Sequence, residues 1–308
     1  MLHLRVISPP DRTDEVVRII EAAPGATNLV VLPGAARQPD GDLVLCDVVR
    51  EAGSQVLSAL RKQRIHEVGS IAIDHVDVAL SHVAAAAADA APGLASDAVV
   101  WDEIEQKTGD ETELSGTYLL MFAVATVIAG IGVLLDQPIL IVGAMVVGPE
   151  FGPLAALCVG IIRKRPAFIR KASIALGVGF ATAIIATIGT TYLLDLAGLV
   201  DKGMLLRERP LTDFIWRPDA LSWVVGFLAG VAGMLSLTSS KAGPLIGVLI
   251  SVTTVPAAAN IAVALAYGVP DEALGSAVQL LLNLAAIVTA GVLTLLLQRL
   301  FWNWKAKA

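Results

Sequence analysis

The residues most able to do chemistry lie at the centre of an apolar block, residues 138–162. Glu150 is its only charged residue, and Gly148-Pro149 and Gly152-Pro153 flank it on either side. A carboxylate and an interrupted backbone are both costly in lipid, where irregular backbone persists only inside protein or beside a water-filled cavity. An ionisable residue at this depth is by default a candidate functional residue. We therefore predict a broken membrane helix that holds a transport or binding site at these five positions.

Glu150 has two possible roles within this site. A protonatable carboxyl in the membrane would couple transport to protons. The alternative is a structural carboxylic acid, hydrogen-bonded to a neighbouring helix or placed at a subunit contact. Small residues such as Gly143 and Ala144 also permit close helix packing, so a break without a functional role is the competing explanation of this segment.

The composition places the block in a membrane domain. The chain has 308 residues, of which 56% are hydrophobic and 16% charged, whereas soluble domains carry about a quarter charged residues. The excess of hydrophobic residues begins after residue 115. A membrane span needs roughly 20 apolar residues. Six predicted spans satisfy this length: 116–135, 138–162, 172–194, 220–240, 242–267 and 273–298. The sequence thus predicts an α-helical polytopic membrane domain over 116–301, followed by a tail at 302–308.

The distribution of Lys and Arg predicts the orientation. Loop 163–171 has five basic residues and no acid, and such loops lie in the cytoplasm. Loop 195–219 has four basic and five acidic residues and would lie outside. Both termini are then cytoplasmic in a multi-pass protein of the plasma membrane, as in a bacterial inner membrane.

Residues 1–95 predict a separate cytoplasmic domain. Alternating strands are expected at 2–7, 27–32, 43–49 and 69–76, with helices from Asp11 or Thr13 to about Ala23 and from Ser54 to Arg64. This β-α-β-β-α-β order is the ferredoxin-like arrangement, here with a trailing helix. The fold hosts many unrelated functions, so both a ligand-sensing module and a docking or oligomerisation module stay open. Residues 96–115 are expected to form an acidic, solvated connector.

A second interrupted segment resembles the first. In block 242–266, Pro256 lies near mid-span among four polar residues. These are Ser251, Thr253, Thr254 and Asn260. The order span, broken span, span occurs twice, and three spans per unit make the second copy inverted. Corresponding interrupted segments of two halves are the best sequence indication of a transporter binding site. Backbone carbonyls freed at the break, hydroxyls and Glu150 could together bind a cation. The exposed amide ends of the half-helices could instead bind an anion. A structural kink at Pro256, without a binding role, is the competing explanation of this segment.

Several function classes are unsupported by the sequence. The net charge of −6 provides no basic surface for nucleic acid. The four histidines lack metal-ligand spacing, and Cys46 and Cys158 have no metal-type neighbours, so we expect no metal or other cofactor. Catalytic signatures such as His-Glu-x-x-His and Gly-x-Ser-x-Gly are missing from the sequence, so we expect no enzyme.

The segment Gly143-Ala144-Met145-Val146-Val147-Gly148-Pro149-Glu150-Phe151-Gly152-Pro153 resembles the domain-of-unknown-function family 389, bacterial integral membrane proteins often described only as hydrophobic domain proteins. The likeness extends over about residues 110–300 and includes LeuSerGlyThrTyr at 114–118 and the span around Pro256. Relatives commonly have Ser in place of Gly148, an apolar residue in place of Glu150, and Pro-Pro in the later segment. The resemblance therefore implies a membrane topology and does not imply that Glu150 is a family-wide requirement.

Two functions remain as expectations. The first is a transporter or ion-conducting protein for a small solute or ion, with its site at the two broken helices. The alternative is a membrane-anchored sensor or scaffold whose cytoplasmic domain binds a ligand or partner. In either case the expected partners are the lipid bilayer and further copies of the chain, as a homo-oligomer.

Overall fold

The structure is a computed structural model that describes residues 1–76, 81–90, 98–239 and 253–305. The chain divides into two compact units, one built mainly from Met1–Ile104 and the other from Glu105–Leu237 and Lys241–Phe301. The first unit extends beyond the predicted end at residue 95. The reason is that Val100 is fully buried in its hydrophobic core, in the same cluster as Val56 and Leu60.

A four-stranded antiparallel sheet forms the centre of the first unit. Its strands are β1 (Leu2–Ser8), β2 (Ala26–Arg37), β3 (Asp40–Val48) and β4 (Ser70–His75). They lie in the order β2-β3-β1-β4, so that Leu4 of β1 faces Cys46 on one side and Ile73 on the other. Alternate residues of β1 and β3 are buried, which gives the sheet one apolar face.

Three helices accompany this sheet: α1 (Thr13–Glu21), α2 (Arg50–Lys62) and the short α3 (Ile65–Val68). Helix α2 begins at Arg50, before the predicted start at Ser54. Gly53 is a poor helix former, yet a Cβ added there would lie 2.6 Å from Leu2 Cδ1. Close packing on the sheet therefore outweighs local propensity in the first turn of α2.

Two further helices follow the sheet along the chain, α4 (His82–Ala90) and α5 (Trp101–Asp110). The second lies in the segment predicted as a solvated acidic connector. Within the second unit, Glu105 forms ion pairs with Arg165, at 2.9 Å, and with Arg163, at 3.4 Å. Part of the acidic segment is thus bound to the basic loop after residue 162, and it is not a free linker.

Helices make up most of the second unit. They are α6 (Gly116–Leu135), α7 (Pro138–Val147), α8 (Phe151–Arg163), α9 (Pro166–Leu196), α10 (Lys202–Leu206), α11 (Ala220–Thr238), α12 (Thr254–Ala266) and α13 (Pro270–Lys305), with a 3-10 turn at Asp213–Ile215. Helix α9 has 31 residues, so it is about 46 Å long at about 1.5 Å per residue. It exceeds the predicted span 172–194 because Pro166 starts it well inside the basic loop, at a position where a missing N–H costs nothing.

Helix α12 lies in the interior of this unit, packed against α6, α7 and α9. Its residues Ala257, Ala258 and Ala259 are fully buried, as expected of a helix that is apolar on all sides. The small side chains of α12 therefore allow the helices around it to approach closely.

Elsewhere in the core, Phe122 of α6 packs edge-on against Phe180 of α9, with ring centroids 4.7 Å apart.

The number of spans agrees with the prediction only in part. Within the described ranges, α6, α9, α11 and α13 are long and apolar enough to cross a membrane, and α7 and α8 together form a broken span or a re-entrant loop. The chain is therefore a helical protein of membrane type. The predicted fifth span, 242–267, is described only from residue 253 onward, where α12 has 13 residues. Six spans and an inverted repeat are not confirmed.

Candidate functional site

The predicted break in block 138–162 is present. Helix α7 ends at Val147, α8 begins at Phe151, and the two are bent by 53°. Pro149 disfavours helical geometry at the residue before it, and Gly148 is accordingly extended, at φ −63° and ψ 128°. Pro153 lies in the first turn of α8, where backbone N–H groups have no partner within the helix. Neither proline therefore removes a hydrogen bond that its helix would otherwise make, and the break is only three residues long.

Glu150 lies in the break and faces the interior of the protein. Its side chain is 4% exposed. Oε1 accepts a hydrogen bond of 2.7 Å from the hydroxyl of Thr254, the first residue of α12. Oε2 is buried and has no hydrogen-bond partner among the described residues. A buried carboxyl with one satisfied oxygen is costly, so Oε2 is the atom of Glu150 that can accept a further hydrogen bond or contact a cation.

The two glycines beside Glu150 are in close contact with their surroundings. A Cβ added at Gly148 would overlap Glu150 Oε2 and lie 2.7 Å from Val255 Cγ2. A Cβ added at Gly152 would overlap the side chain of Glu111. A larger residue at either position would therefore force the neighbouring carboxylate side chain to move.

A cleft of about 430 Å³ opens at the break. Gly148, Pro149, Phe151 and Gly152 form part of its wall. The remaining lining comes from the segment before α6 and from α6 itself: Asp110, Glu111, Glu113, Ser115, Thr117, Tyr118 and Met121. Three carboxylates thus share a cleft with the backbone of the break.

The electrostatics of this cleft are shaped by its walls. Desolvation by the walls raises the pKa of Glu111; Lys107 opposes this shift, and the neighbouring Asp110 carboxylate adds to it. Lys171 lies 3.7 Å from Glu113 and partly balances its charge. Acidic groups therefore predominate among the charged lining residues of the cleft, and Lys171 balances part of their charge.

The start of α12 brings the second predicted set of residues towards the break. Thr254 contacts Glu150, and Thr253 accepts a hydrogen bond of 2.8 Å from Asn283 of α13. Pro256 lies in the first turn of α12 and does not interrupt that helix, so the described part of the segment has no kink at Pro256. Ser251, which was also predicted for the site, lies outside the described residues.

Asn260 belongs to a different cluster from Glu150. Its amide nitrogen donates to Ser276 Oγ at 2.7 Å and to Glu272 Oε1 at 3.0 Å. The same carboxylate oxygen accepts from the guanidinium of Arg209. Arg209, Glu272 and Ser276 were not predicted as site residues from the sequence. The helical spacing of Glu272 and Ser276 with Gln279 and Asn283, along one face of α13, is the signal that could have identified two of them.

No group of three or more His, Cys, Asp or Glu side chains able to hold a metal ion occurs in the part of the chain that the structure describes. The chemistry at the break comes from one carboxylate and one hydroxyl beside an acidic cleft. This arrangement can bind a small cation or carry a proton.

Comparison with known proteins agrees with the resemblance in the sequence. The family described as "Domain of unknown function (DUF389)" matches residues 145–289, a range that includes part of α7, the break, α12 and the polar face of α13. An uncharacterised protein of Methanocaldococcus jannaschii, MJ0678, is 24% identical over 189 residues. That match covers 61% of this chain and 56% of the relative, so it spans little more than half of the relative's length. No solved structure matches the chain.

Proposed function

We propose that this chain, whose residues 145–289 match the DUF389 family, is a transporter or ion-conducting protein that moves a small solute or ion through the break between α7 and α8. One observation carries this proposal. Glu150 is buried in an interrupted membrane segment and has a free carboxylate oxygen, and Gly148 next to it lines an open cleft. A dry structural break needs neither a half-satisfied carboxyl nor a cleft beside it.

The same proposal includes a topology. Six spans in two inverted halves would put the basic loop 163–171 and both termini in the cytoplasm of a cell-membrane protein. The ferredoxin-like arrangement of the first unit would then be cytoplasmic, and its strand order β2-β3-β1-β4 supports that arrangement. In this orientation the acidic cleft opens towards the cytoplasm.

Charge favours a cation as the transported species. The side chains that line the cleft include Asp110, Glu111 and Glu113, and none of the described lining residues is Lys or Arg. A focused negative potential raises the local concentration of cations and lowers that of anions. Because the described residues give Glu150 a neighbouring hydroxyl and no second carboxylate ligand, a monovalent ion or a proton fits better than a divalent metal.

Flux through liposomes that contain the full chain tests this function. Passive Na⁺, K⁺ and H⁺ fluxes are measured for the parent protein, for Glu150→Gln and for the matched control Glu67→Gln, which removes a carboxylate from the exposed surface of the first unit. We expect at least about a tenfold loss for Glu150→Gln, because a charge contact of about 1.5–3 kcal/mol changes a rate by that much. The control should keep the parent flux. Equal flux in both variants would remove Glu150 from the path, and a parent protein that conducts none of the three ions would refute cation transport.

A sensor or scaffold is the second candidate function, and one observation favours it. Strand β2 is an edge of the sheet, and Val30, Val31 and Leu32 on it are all exposed. Exposed apolar edge strands pair readily with other chains, so this edge could join two copies of the protein into a homo-oligomer. In the full-length protein, Val31→Cys should then form cross-linked dimers with a short bis-maleimide, whereas the equally exposed Val68→Cys should not. Monomers only in both variants would exclude this interface.

A further inference from the structure

A polar face runs along the otherwise apolar helix α13. It consists of Glu272, Ser276, Gln279 and Asn283, spaced by four, three and four residues, so that they share one side of the helix. All four side chains are buried, although the helix has a mean hydropathy of 2.4 over its most apolar window. Polar residues are expensive in such a helix and are kept for a purpose.

Hydrogen bonds connect this face to Glu150. Asn283 donates to Thr253 at 2.8 Å, and the next residue, Thr254, donates to Glu150 at 2.7 Å. At the other end of the face, Asn260 of α12 bonds both Ser276 and Glu272. Buried polar groups therefore follow one another from the first turn of α13 to the break.

Several atoms in this series have no partner among the described residues. They are Arg209 Nε and Nη1, Asn260 Oδ1, Gln279 Oε1 and Glu150 Oε2. Two are donors and three are acceptors. Leaving buried polar atoms unsatisfied is costly, and side chains of both kinds are satisfied together by water or by the hydration shell of a small ion. A purely structural network would instead pair its members with one another.

One ion pair closes the end of the face that is remote from Glu150. Arg209 is 3% exposed and bonds Glu272, which is 5% exposed, at the start of α13. Arg209 is carried by the segment between α10 and the 3-10 turn, where its carbonyl accepts from the N–H groups of Thr212 and Asp213. A movement of this short segment would separate the pair without unwinding α13.

We propose that the polar face of α13 lines the second half of the permeation path, from Glu150 to the start of α13, and that the Arg209–Glu272 pair is its gate, closed in this conformation. The inference rests on the proposed transport function and adds the residues that line the far half of its route. The transported class stays the same, a small monovalent cation, and it passes hydroxyl and amide oxygens between two carboxylates.

Cysteine accessibility tests whether the face is wet. Ser276→Cys is compared with Leu281→Cys, whose parent side chain on α13 is exposed on the apolar exterior, and with Ile287→Cys, whose parent side chain is buried. Each is treated in nanodiscs with a cationic methanethiosulfonate, which reaches thiols through water from both faces. The parent chain is the blank, since Cys46 and Cys158 are buried.

Opening of the gate is tested in the same assay with Glu272→Gln and Arg209→Gln. Glu272→Gln keeps a carbonyl oxygen that can accept hydrogen bonds from Asn260 and Arg209, but it loses the negative charge. The gate can therefore still be tested with this variant if Arg209→Gln does not fold. We expect either variant to raise the labelling rate of Ser276→Cys at least about tenfold, which corresponds to about 1.4 kcal/mol. The rates at positions 281 and 287 should not change.

Two results would overturn the inference. In the first, Ser276→Cys stays as unreactive as Ile287→Cys in a folded gate variant, which would make the face a dry structural network. In the second, the gate variants leave the labelling rate of Ser276→Cys unchanged, which would leave the ion pair without a gating role. Because labelling needs no flux, either result leaves the liposome test of Glu150 intact. Labelling of Ser276→Cys that responds to the gate variants, in a protein without cation flux, would refute the transport function and with it the permeation path, but it would still show a wet face closed by the ion pair.

Discussion

The hydrogen bond between Thr254 and Glu150 gives the sharpest energetic test of the site. Thr254→Val keeps the shape of the side chain and removes the hydroxyl that donates to Oε1 at 2.7 Å. Since Oε2 already has no partner among the described residues, the carboxyl would then be buried without any side-chain donor. Net contributions are about 1 kcal/mol for a neutral hydrogen bond and about 1.5–3 kcal/mol for one to a charged group. We therefore expect a loss of about 1–3 kcal/mol in the free energy of unfolding.

The partner variant Glu150→Met removes the carboxyl and roughly conserves volume. Replacing a buried polar group by an apolar one can be neutral or stabilising, whereas removal of its only partner is not. Thr254→Val should consequently cost little in the Glu150→Met background. The double-mutant cycle should give a coupling energy of about 1–3 kcal/mol, within the range known for residues in direct contact.

Unfolding in mixed detergent micelles, titrated with sodium dodecyl sulfate, measures all four proteins of the cycle. Thr187→Val is the matched control, because Thr187 is equally buried in α9 and its hydroxyl has no partner among the described residues. That control should cost nothing or stabilise the protein, because the buried hydroxyl that it removes has no partner among the described residues. The reasoning is refuted if Thr254→Val costs no more than the control, or if its cost is the same with and without Glu150.

Three other predictions follow from close contacts and shifted pKa values. Gly148→Ala should cost about 1–3 kcal/mol in unfolding titrations, because the new Cβ would lie 2.7 Å from Val255 Cγ2. Gly143→Ala on α7 has nothing within 4 Å of its Cβ and should be neutral or stabilising, since Ala is the better helix former. Equal costs would contradict the packing. Hydrogen bonds from the Gly34 N–H and the Thr13 hydroxyl lower the pKa of Asp42, despite partial desolvation. Ionised Asp42 thus stabilises the fold above the unfolded value of about 3.9, and this contribution is lost as pH falls through the lower folded pKa. Thermal unfolding between pH 3 and 7 should show a smaller acid decline for Asp42→Asn than for the parent, and parallel curves would exclude the effect. Burial and the nearby Asp47 raise the pKa of Cys46 to about 11, so maleimide should not label this thiol at pH 7.5 until the chain is denatured, and rapid labelling of the folded protein would contradict its burial.

Local sequence patterns were sufficient to predict those parts of the structure that depend only on residues close together in the chain. The break around Glu150 was predictable because Gly-Pro pairs exclude regular helix whatever surrounds them. Strands β1 and β3 were predictable because the alternation of apolar residues, which become the buried ones, is visible in the sequence. Helix ends were less predictable: α2 starts earlier than its Gly53 suggests, since contact with Leu2 compensates for poor helix propensity.

Contacts between distant residues could not be predicted. The partner of Glu150 is Thr254, 104 residues away, and many hydroxyls in the apolar blocks were equally plausible from sequence. Asn260 was predicted beside Glu150, but in the structure it bonds Glu272 and Ser276. Periodicity assigns a residue to a face of its helix, and it does not reveal which other helix that face meets.

The amino-acid sequence alone determined that this chain has apolar blocks long enough to span a membrane and a broken segment around one carboxylate. Hydropathy and backbone restrictions act over a few residues, so both can be seen without knowing the fold. Only the tertiary structure decided which oxygen of Glu150 is satisfied, and that Arg209, from a polar loop, reaches the buried end of α13. Those outcomes depend on how helices far apart in the chain pack together, because buried polar groups are stable only where packing brings them a partner.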